Sequence, residues 1–340
     1  MIRAAVIGYG YWGPNLVRNL AEVPGCEIAG VADLRPERLA LVRKRFPGVH
    51  GTADAAELID DPRIDAILIA TPLSTHYDLA LRALRAGKHV LVEKPLAASS
   101  DQAARLIDEA ESKRLVLMVD HTFTYTSAVE KIRELVVNDG LGTLYYYDSV
   151  RVNLGLFQSD VNVVWDLAVH DLSIMDYVLP SKPRTVSATG MSHIGSHANI
   201  AYLTLNFDQS LIAHVHVNWL APVKIRQTLI GGSRKMIVYD DVEPSEKLKI
   251  YDKGVDVVDS EQLVHQALVS YRLGDVWAPR LDITEALQTE LRHFLHCIES
   301  HDTPRTDGRS GLRVIKILEA ACQSMSADGR PVDLDSGVPS

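Results

Sequence analysis

The sequence predicts two domains: an α/β domain on a doubly wound parallel sheet over residues 1–121, then an α+β domain with a mainly antiparallel sheet over residues 122–340. Three observations carry that prediction. Short apolar runs alternate with helical patterns through the first third of the chain; a glycine-rich turn separates the first apolar run from the first helix; and the pattern shifts toward period two after about residue 121. The length agrees, since 340 residues is long for one domain and comfortable for two.

The elements follow in order. AAVIG at 4–8 reads as a buried strand, followed by the glycine-rich turn and the helix PNLVRNLAEV. EIAGVAD at 27–33 is the second strand, and PERLALVRKRF is a helix with Pro36 in its first turn. DAILIAT at 65–71 is the third strand, HYDLALRALRAG a helix closed by Gly87, and HVLVEKP the fourth strand. DQAARLIDEAESKR and LVLMVD add a further helix and strand. Beyond residue 121, LYYYDSVRV, ANIAYLTLNF, LIAHVHVNWL, VKIRQTLIGG, KMIVYD and KLKIYD read as strands with few helices between them. IRQTLIGGSRKMIVYD has the form of a hairpin turning at GGSR. Helices return at 163–179, 286–300 and 311–325.

Composition narrows the function. Hydrophobic residues at 46% and charged residues at 23% describe an ordinary soluble globular chain. The net charge of −9 excludes a general nucleic-acid binder, which needs a basic face, but leaves room for a local pocket that takes an anionic small molecule. Three scattered cysteines, Cys26, Cys297 and Cys322, form neither a disulfide framework nor a metal motif, so no metal is expected. No segment has the pattern of a signal peptide or a bilayer span, and the expectation is a reduced, cytoplasmic protein without a membrane partner.

VIGYGYWGPN contains Gly8-x-Gly10-x-x-Gly13 between a strand and a helix. Gly8 permits the tight turn, Gly10 lets the backbone approach a pyrophosphate, and Gly13 lets helix and strand pack closely. The helix N-terminus then offers unpaired N–H groups to the phosphates, which makes the first domain a Rossmann-type nucleotide site. Asp33, twenty positions after Gly13, is placed to grip a ribose diol. An acid there repels a 2′-phosphate, so NAD is expected over NADP, with nearby Arg35 softening the preference. Thr71, Pro72 and Glu93 follow the third and fourth strands at the edge where ligands bind in such sheets. Tyr11 and Trp12 inside the fingerprint, and His76 at the head of the third helix, complete the expected cofactor shell together with Lys94.

Glu93-Lys94-Pro95 ends the fourth strand, and a lysine at that edge can donate a hydrogen bond or proton to an alcohol being oxidised. In the helix at 163–179, Asn162 is a reasonable N-cap, and Asp166, His170, Ser173 and Tyr177 share one face at i, i+4, i+7 and i+11. Asp166 can orient the His170 imidazole and stabilise its charged form. That arrangement suits a general base and equally a plain solvated helix face. Asp171, on the apolar side of the same helix, has no explanation at this level. His214 and His216 share one face of a strand, but two histidines without a third ligand are usual on a polar sheet face.

Taken together, the glycine fingerprint, Asp33, ATP at 70–72, EKP at 93–95, the switch to an antiparallel domain, D-x-x-x-H at 166–170 and the late segment GRSGLRVIKILEAA resemble the Gfo/Idh/MocA family (glucose–fructose oxidoreductase and inositol dehydrogenase) over nearly the whole chain. The resemblance implies that Lys94, Asp166 and His170 line the substrate beside the nicotinamide as the catalytic set. It also implies an open-faced C-terminal sheet that mediates a homodimer or homotetramer. The implied reaction is alcohol oxidation, with His170 taking the hydroxyl proton, Asp166 orienting it and Lys94 polarising the oxygen; either His170 or Lys94 can be the formal base.

NVVWDLAVHDLSI further resembles the sugar-nucleotide branch of that family, which implies oxidation at C3 of a UDP- or dTDP-hexose, a UDP-N-acetylhexosamine or a uronate. Trp165 could stack on a sugar, Asn162 could hydrogen-bond one, Arg151 could meet a phosphate, and His121, just after the fifth strand, is a further pocket candidate. The alternatives are an NDP-3-keto-sugar reductase, a free inositol or aldose dehydrogenase and, from another class, a non-catalytic NAD-binding sensor or partner subunit.

Overall fold

The computed structural model describes residues 1–155, 161–208, 211–257 and 269–334. They divide into two compact units, Met1–Thr126 with Ile283–Lys316, and Ser127–Asp282 with Ile317–Ser340.

The first unit holds a six-stranded sheet. Its elements are β1 (Ile2–Ile7), α1 (Gly13–Glu22), β2 (Cys26–Ala32), α2 (Pro36–Arg45), β3 (His50–Thr52), α3 (Ala55–Ile59), β4 (Ala66–Ile69), α4 (His76–Arg85), β5 (His89–Glu93), α5 (Ser100–Lys113) and β6 (Leu117–Asp120). All the strands pair in parallel, in the order β3-β2-β1-β4-β5-β6. The order reverses between β1 and β4, so the C-terminal ends of these two strands open the crevice where such sheets bind ligands. Residues of β1, β4 and β5 are almost wholly buried, which is why they read as continuous apolar runs rather than alternating ones. The sequence reading passes over β3 and α3, because three and five residues carry no usable period.

The second unit contains α6 (Ser127–Val137), β7 (Leu144–Leu154), a π-helical turn (Val164–Ala168) running into α7 (Val169–Val178), then β8 (Thr185–Met191), β9 (Ile200–Asn206), β10 (Ile212–Asn218), β11 (Leu220–Gly232), β12 (Met236–Asp240), β13 (Leu248–Tyr251), β14 (Gly254–Val257), β15 (Val269–Arg272), β16 (Val276–Trp277) and β17 (Val332–Asp333). Nine of these strands form one sheet, ordered β16-β13-β12-β11-β7-β10-β9-β8-β17. Its pairs are antiparallel except β7 with β10, which run parallel. β11 and β12 make the expected hairpin, with Gly231 opposite Met236. One face is buried through Ala201, Leu203, Leu205, Ala213, Val215 and Val217, while Tyr202, Ile212 and His214 on the other are exposed. The sheet is open-faced within its unit.

The last helices are α8 (Ala286–Ser300) and α9 (Gly308–Ser326). The first compact unit takes in the later segment Ile283–Lys316 as well as the N-terminal stretch. Leu287, Leu291, Phe294, Leu295 and Ile298 of α8 join the core cluster that contains Val6, Leu16 and Leu20. Val119 N–H donates to the Thr306 carbonyl, and Thr306 Oγ1 donates to the Val119 carbonyl, so this segment covers the open edge of β6. The chain returns to its first unit because that sheet edge and its apolar face need a partner, a long-range demand that local periodicity does not show.

Candidate active site

The turn after β1 is shaped by what its glycines lack. Gly8 has φ +95°, and a Cβ there would stand 2.4 Å from the Ala70 carbonyl oxygen at the end of β4. A Cβ on Gly13 would stand 2.0 Å from the Gly8 carbonyl oxygen, so only glycine lets α1 begin this close to the turn. At Gly10 the nearest atom to an added Cβ is Arg35 Nη2, at 3.4 Å, which leaves the backbone there approachable. Helix α1 starts without a side-chain cap on its N–H groups. Pro14 has no N–H, and the Asn15 N–H donates to the Trp12 carbonyl at 2.8 Å. It is therefore the open backbone of the turn beside the positive end of the helix that fits a dinucleotide pyrophosphate.

Asp33 follows β2 and is buried; its carboxylate accepts from the backbone N–H of Tyr9 (2.7 Å) and of Arg35 (2.9 Å). Arg35 Nε and Nη2 donate to its two oxygens, both at 2.9 Å. Burial pushes the Asp33 carboxyl up, but the Arg35 guanidinium and the two N–H groups outweigh it and hold the group below the usual carboxylate range. Arg35 is therefore engaged with Asp33, not held apart for a 2′-phosphate.

Two more loops reach the same sheet edge. Lys94 follows β5 directly, and the Lys94–Pro95 peptide is cis. His76, expected in the cofactor shell, is instead buried at the start of α4, with Nδ1 2.8 Å from the Pro95 carbonyl and Nε2 2.9 Å from the Thr71 carbonyl. Its ring lies between the loop after β4 and the loop after β5, and as a neutral imidazole it donates to one of the two carbonyls. Burial lowers its proton affinity, and the Lys94 charge acts the same way. The Thr71 hydroxyl accepts from Thr75 Oγ1. Within the fingerprint the Tyr11 side chain is exposed, whereas Trp12 Nε1 donates to Asp120 Oδ2 at 2.5 Å. Asp120 ends β6 in register with Glu93 of β5. His121 is buried in this unit just after β6.

In the second unit, Asn162 caps the helix as expected, its Oδ1 accepting from the N–H groups of Val164 (3.0 Å) and Trp165 (3.2 Å), while Nδ2 donates to Cys322 Sγ. The first turn is π-helical, however, so a uniform α-helical period does not run through Asp166. Asp166 Oδ2 accepts from Trp219 Nε1 at 3.0 Å. Asp166, His170 and Trp165 are half-buried, and Ser173 is buried with its hydroxyl donating to the His170 carbonyl. The idea of a solvated face is thus corrected: most of this helix is enclosed. Arg151 is corrected too. Its side chain is 3% exposed and ion-paired to Asp171, which commits it to the interior and away from a substrate phosphate. Among the described residues no group of three or more His, Cys, Asp or Glu is arranged to hold a metal. His214 lies 3.4 Å from Asp148, and His216 stacks on Tyr202.

Comparison with known families identifies the chain. Residues 2–121 match the family model for the Gfo/Idh/MocA NAD-binding Rossmann fold, and residues 133–334 match the model for the family's C-terminal α/β domain. The chain belongs to the Gfo/Idh/MocA oxidoreductase family. Like the family's first domain, this one binds NAD, and the protein is an NAD-dependent oxidoreductase acting on CH–OH groups.

Among Gfo/Idh/MocA relatives, the UDP-N-acetylglucosamine 3-dehydrogenase of Acidithiobacillus ferrooxidans is 28% identical over 320 residues, covering 92% of this chain and 94% of that protein. A solved structure of that enzyme superposes with a TM-score of 0.79 at 27% identity, covering 96% of this chain and 97% of its own. The myo-inositol 2-dehydrogenase of Thermotoga maritima is 23% identical, over 99% of this chain and 100% of that protein.

Two acids in the first unit escaped the sequence reading, Asp120 and Glu290. Asp120 sits at a strand end on the ligand edge, a position that could have marked it. Glu290 shares the buried side of α8 with Leu287, Leu291 and Phe294, and an acid inside an i, i+4, i+7 apolar stripe is the signal that was available.

Proposed function

We propose that this enzyme oxidises the C3 hydroxyl of a nucleotide-linked sugar, of the UDP-hexose, UDP-N-acetylhexosamine or uronate type, to a 3-keto sugar. The observation that carries this is the similarity, over nearly the full length of both chains, to a UDP-N-acetylglucosamine 3-dehydrogenase. The site residues support it. The turn at Gly8, Gly10 and Gly13 with the start of α1 would hold the pyrophosphate of NAD, and Asp33 its adenosine ribose diol. Bound there, NAD supplies the hydride acceptor.

The chain's own residues do the rest. Lys94 donates a hydrogen bond to the reacting oxygen and stabilises the negative charge that grows on it. His170 takes the hydroxyl proton as the carbon gives up hydride, and the C–O bond becomes a carbonyl. Asp166, anchored by the Trp219 indole, orients the imidazole and favours its protonated form. The engaged Asp33–Arg35 pair disfavours NADPH and so the reductive direction. The open face of the nine-stranded sheet, with Tyr202 and Ile212 exposed, is the surface we assign to a homodimer or homotetramer.

A second reading has an observation of its own, the match to an inositol dehydrogenase along almost the entire chain. The growth of NADH absorbance with NAD and a panel of UDP-sugars, dTDP-sugars and free inositols separates the two. Reduction with a sugar nucleotide supports the proposal, reduction with inositols alone moves the enzyme to the polyol class, and silence throughout favours an NAD-binding sensor.

A further inference from the structure

The Trp12 side chain makes a contact that the steps above leave unused. Its Nε1 donates to Asp120 Oδ2 at 2.5 Å, and Thr122 Oγ1 donates to Asp120 Oδ1 at 2.5 Å. Each oxygen of the buried Asp120 carboxyl therefore has a donor of its own. Trp12 stands where the turn after β1 enters α1, whereas Asp120 is the last residue of β6. The sheet runs β1-β4-β5-β6, so the two strands lie three spacings apart, about 14 Å. The Trp12 and Asp120 side chains bridge that span, past the C-terminal ends of β4 and β5.

The same stretch of edge is where the reacting end of the cofactor belongs. Asp33, assigned above to the adenosine ribose, follows β2, and the glycine turn assigned to the pyrophosphate follows β1. A dinucleotide laid on those two sites continues past β1 in the direction of β4 and β5. Lys94 follows β5 directly, and Glu93 before it is in register with Asp120. The hydride acceptor has to reach an alcohol held by Lys94, so the nicotinamide belongs over the strand ends that the indole crosses.

The indole suits that position. Trp12 packs against the core cluster that includes Tyr9, Leu16 and Tyr125, yet it stays half-buried. With its core side covered and its indole N–H paired, what it has left to offer a ligand is its π face. Oxidised nicotinamide is a planar cation, and indole is the best aromatic partner for a cation.

We propose that the Asp120–Trp12 tether holds the indole as a wall against one face of the nicotinamide ring, leaving the opposite face to pick up hydride. Trp12 is then a nicotinamide contact, and Asp120 and Thr122 are positioning residues that act through it. The proposal rests on the placing of NAD and Lys94 given above and not on the choice of sugar. Its test uses no sugar, so failure of the sugar assignment leaves it untouched.

ADP-ribose is NAD without the nicotinamide, so its binding reads the glycine turn and Asp33 alone. Calorimetric titrations with NAD and with ADP-ribose are run on the parent enzyme, Trp12→Leu and Asp120→Ala. Trp12→Leu weakens NAD binding by about tenfold and keeps parental affinity for ADP-ribose, which also shows that the variant is folded. Asp120→Ala gives a smaller loss, again confined to NAD. Parental NAD affinity in Trp12→Leu overturns the proposal. So do equal losses for the two ligands in a variant with the parental circular dichroism, because Trp12 would then only support the turn. Fluorescence of the parent is a check that needs no variant to fold. NAD, whose electron-poor ring stacks on Trp12, quenches tryptophan emission more than ADP-ribose does, and Trp12→Phe abolishes the difference. Equal quenching of the parent by the two ligands overturns the proposal.

Discussion

Arg151 on β7 and Asp171 on α7 form an ion pair sealed inside the second unit, with Arg151 Nε 2.7 Å from Asp171 Oδ2 and both side chains 3% exposed. Ser149 Oγ donates to the same carboxylate at 2.6 Å, and the Tyr147 hydroxyl donates to the Asp171 carbonyl. Tyr147, Ser149 and Arg151 are the period-two inward face of β7, so three consecutive inward positions grip one residue of the helix. Asp171 follows His170 directly, and the pair therefore fixes the backbone that carries the proposed base.

Removing one partner leaves a buried charge without its counter-charge. Asp171→Ala is expected to cost about 3–5 kcal/mol of stability, measured as a lowered midpoint of urea unfolding. Replacing both members with apolar residues, as in Arg151→Met with Asp171→Leu, costs much less than the single change, because no charge is left uncompensated.

Asp33 sets the cofactor choice. Asp33→Ser releases Arg35 from its two-pronged partner and removes the charge that repels a 2′-phosphate. The ratio of kcat/KM for NADP to that for NAD should rise roughly 10- to 100-fold. A ratio that stays at the parental value would place discrimination elsewhere.

Lys94→Ala is expected to abolish most turnover while NAD binding, read by calorimetry, persists. Loss of one donor at a developing oxyanion costs about 100- to 1,000-fold in kcat. Near-parental turnover in this variant removes Lys94 from the chemistry.

His76 touches two backbone carbonyls on two loops, one of them the carbonyl next to Lys94. His76→Ala should lower kcat by up to about 100-fold through misplacement of Lys94, with a smaller change in NAD affinity. Equal losses in both parameters would assign it to general loop stability.

Glu290 makes a pH prediction whose sign is opposite to the usual acid. Its folded proton affinity is raised, so between about pH 4.3, the ordinary glutamate value, and its folded value the native state holds a proton that the unfolded chain has lost. Stability contributed by this group is greatest below about pH 4.3 and declines as pH rises through that window. Glu290→Gln removes the decline, and thermal melts across neutral pH should show the variant gaining on the parent.

Much of the first unit was legible because its signals are local. Buried parallel strands are unbroken apolar runs, helices have their own period, and a glycine triplet at a strand–helix junction has few other uses. The second unit's larger strands and the hairpin at GGSR were legible for the same reason. The short β3 and α3 were not, since so few residues cannot establish a period.

What the sequence determined by itself is therefore the backbone plan and the chemical types on offer: a nucleotide turn, an acid after β2, a lysine after β5, an Asp and His four apart. What the tertiary structure decided is which of these side chains already have partners. Arg35, Arg151, His76 and Trp12 all resembled ligand contacts in the sequence, yet each is engaged by Asp33, Asp171, two carbonyls or Asp120. Partner choice depends on residues as many as 108 positions away, and burial then makes an unmet charge or donor too costly to keep. No local pattern carries that information; packing does.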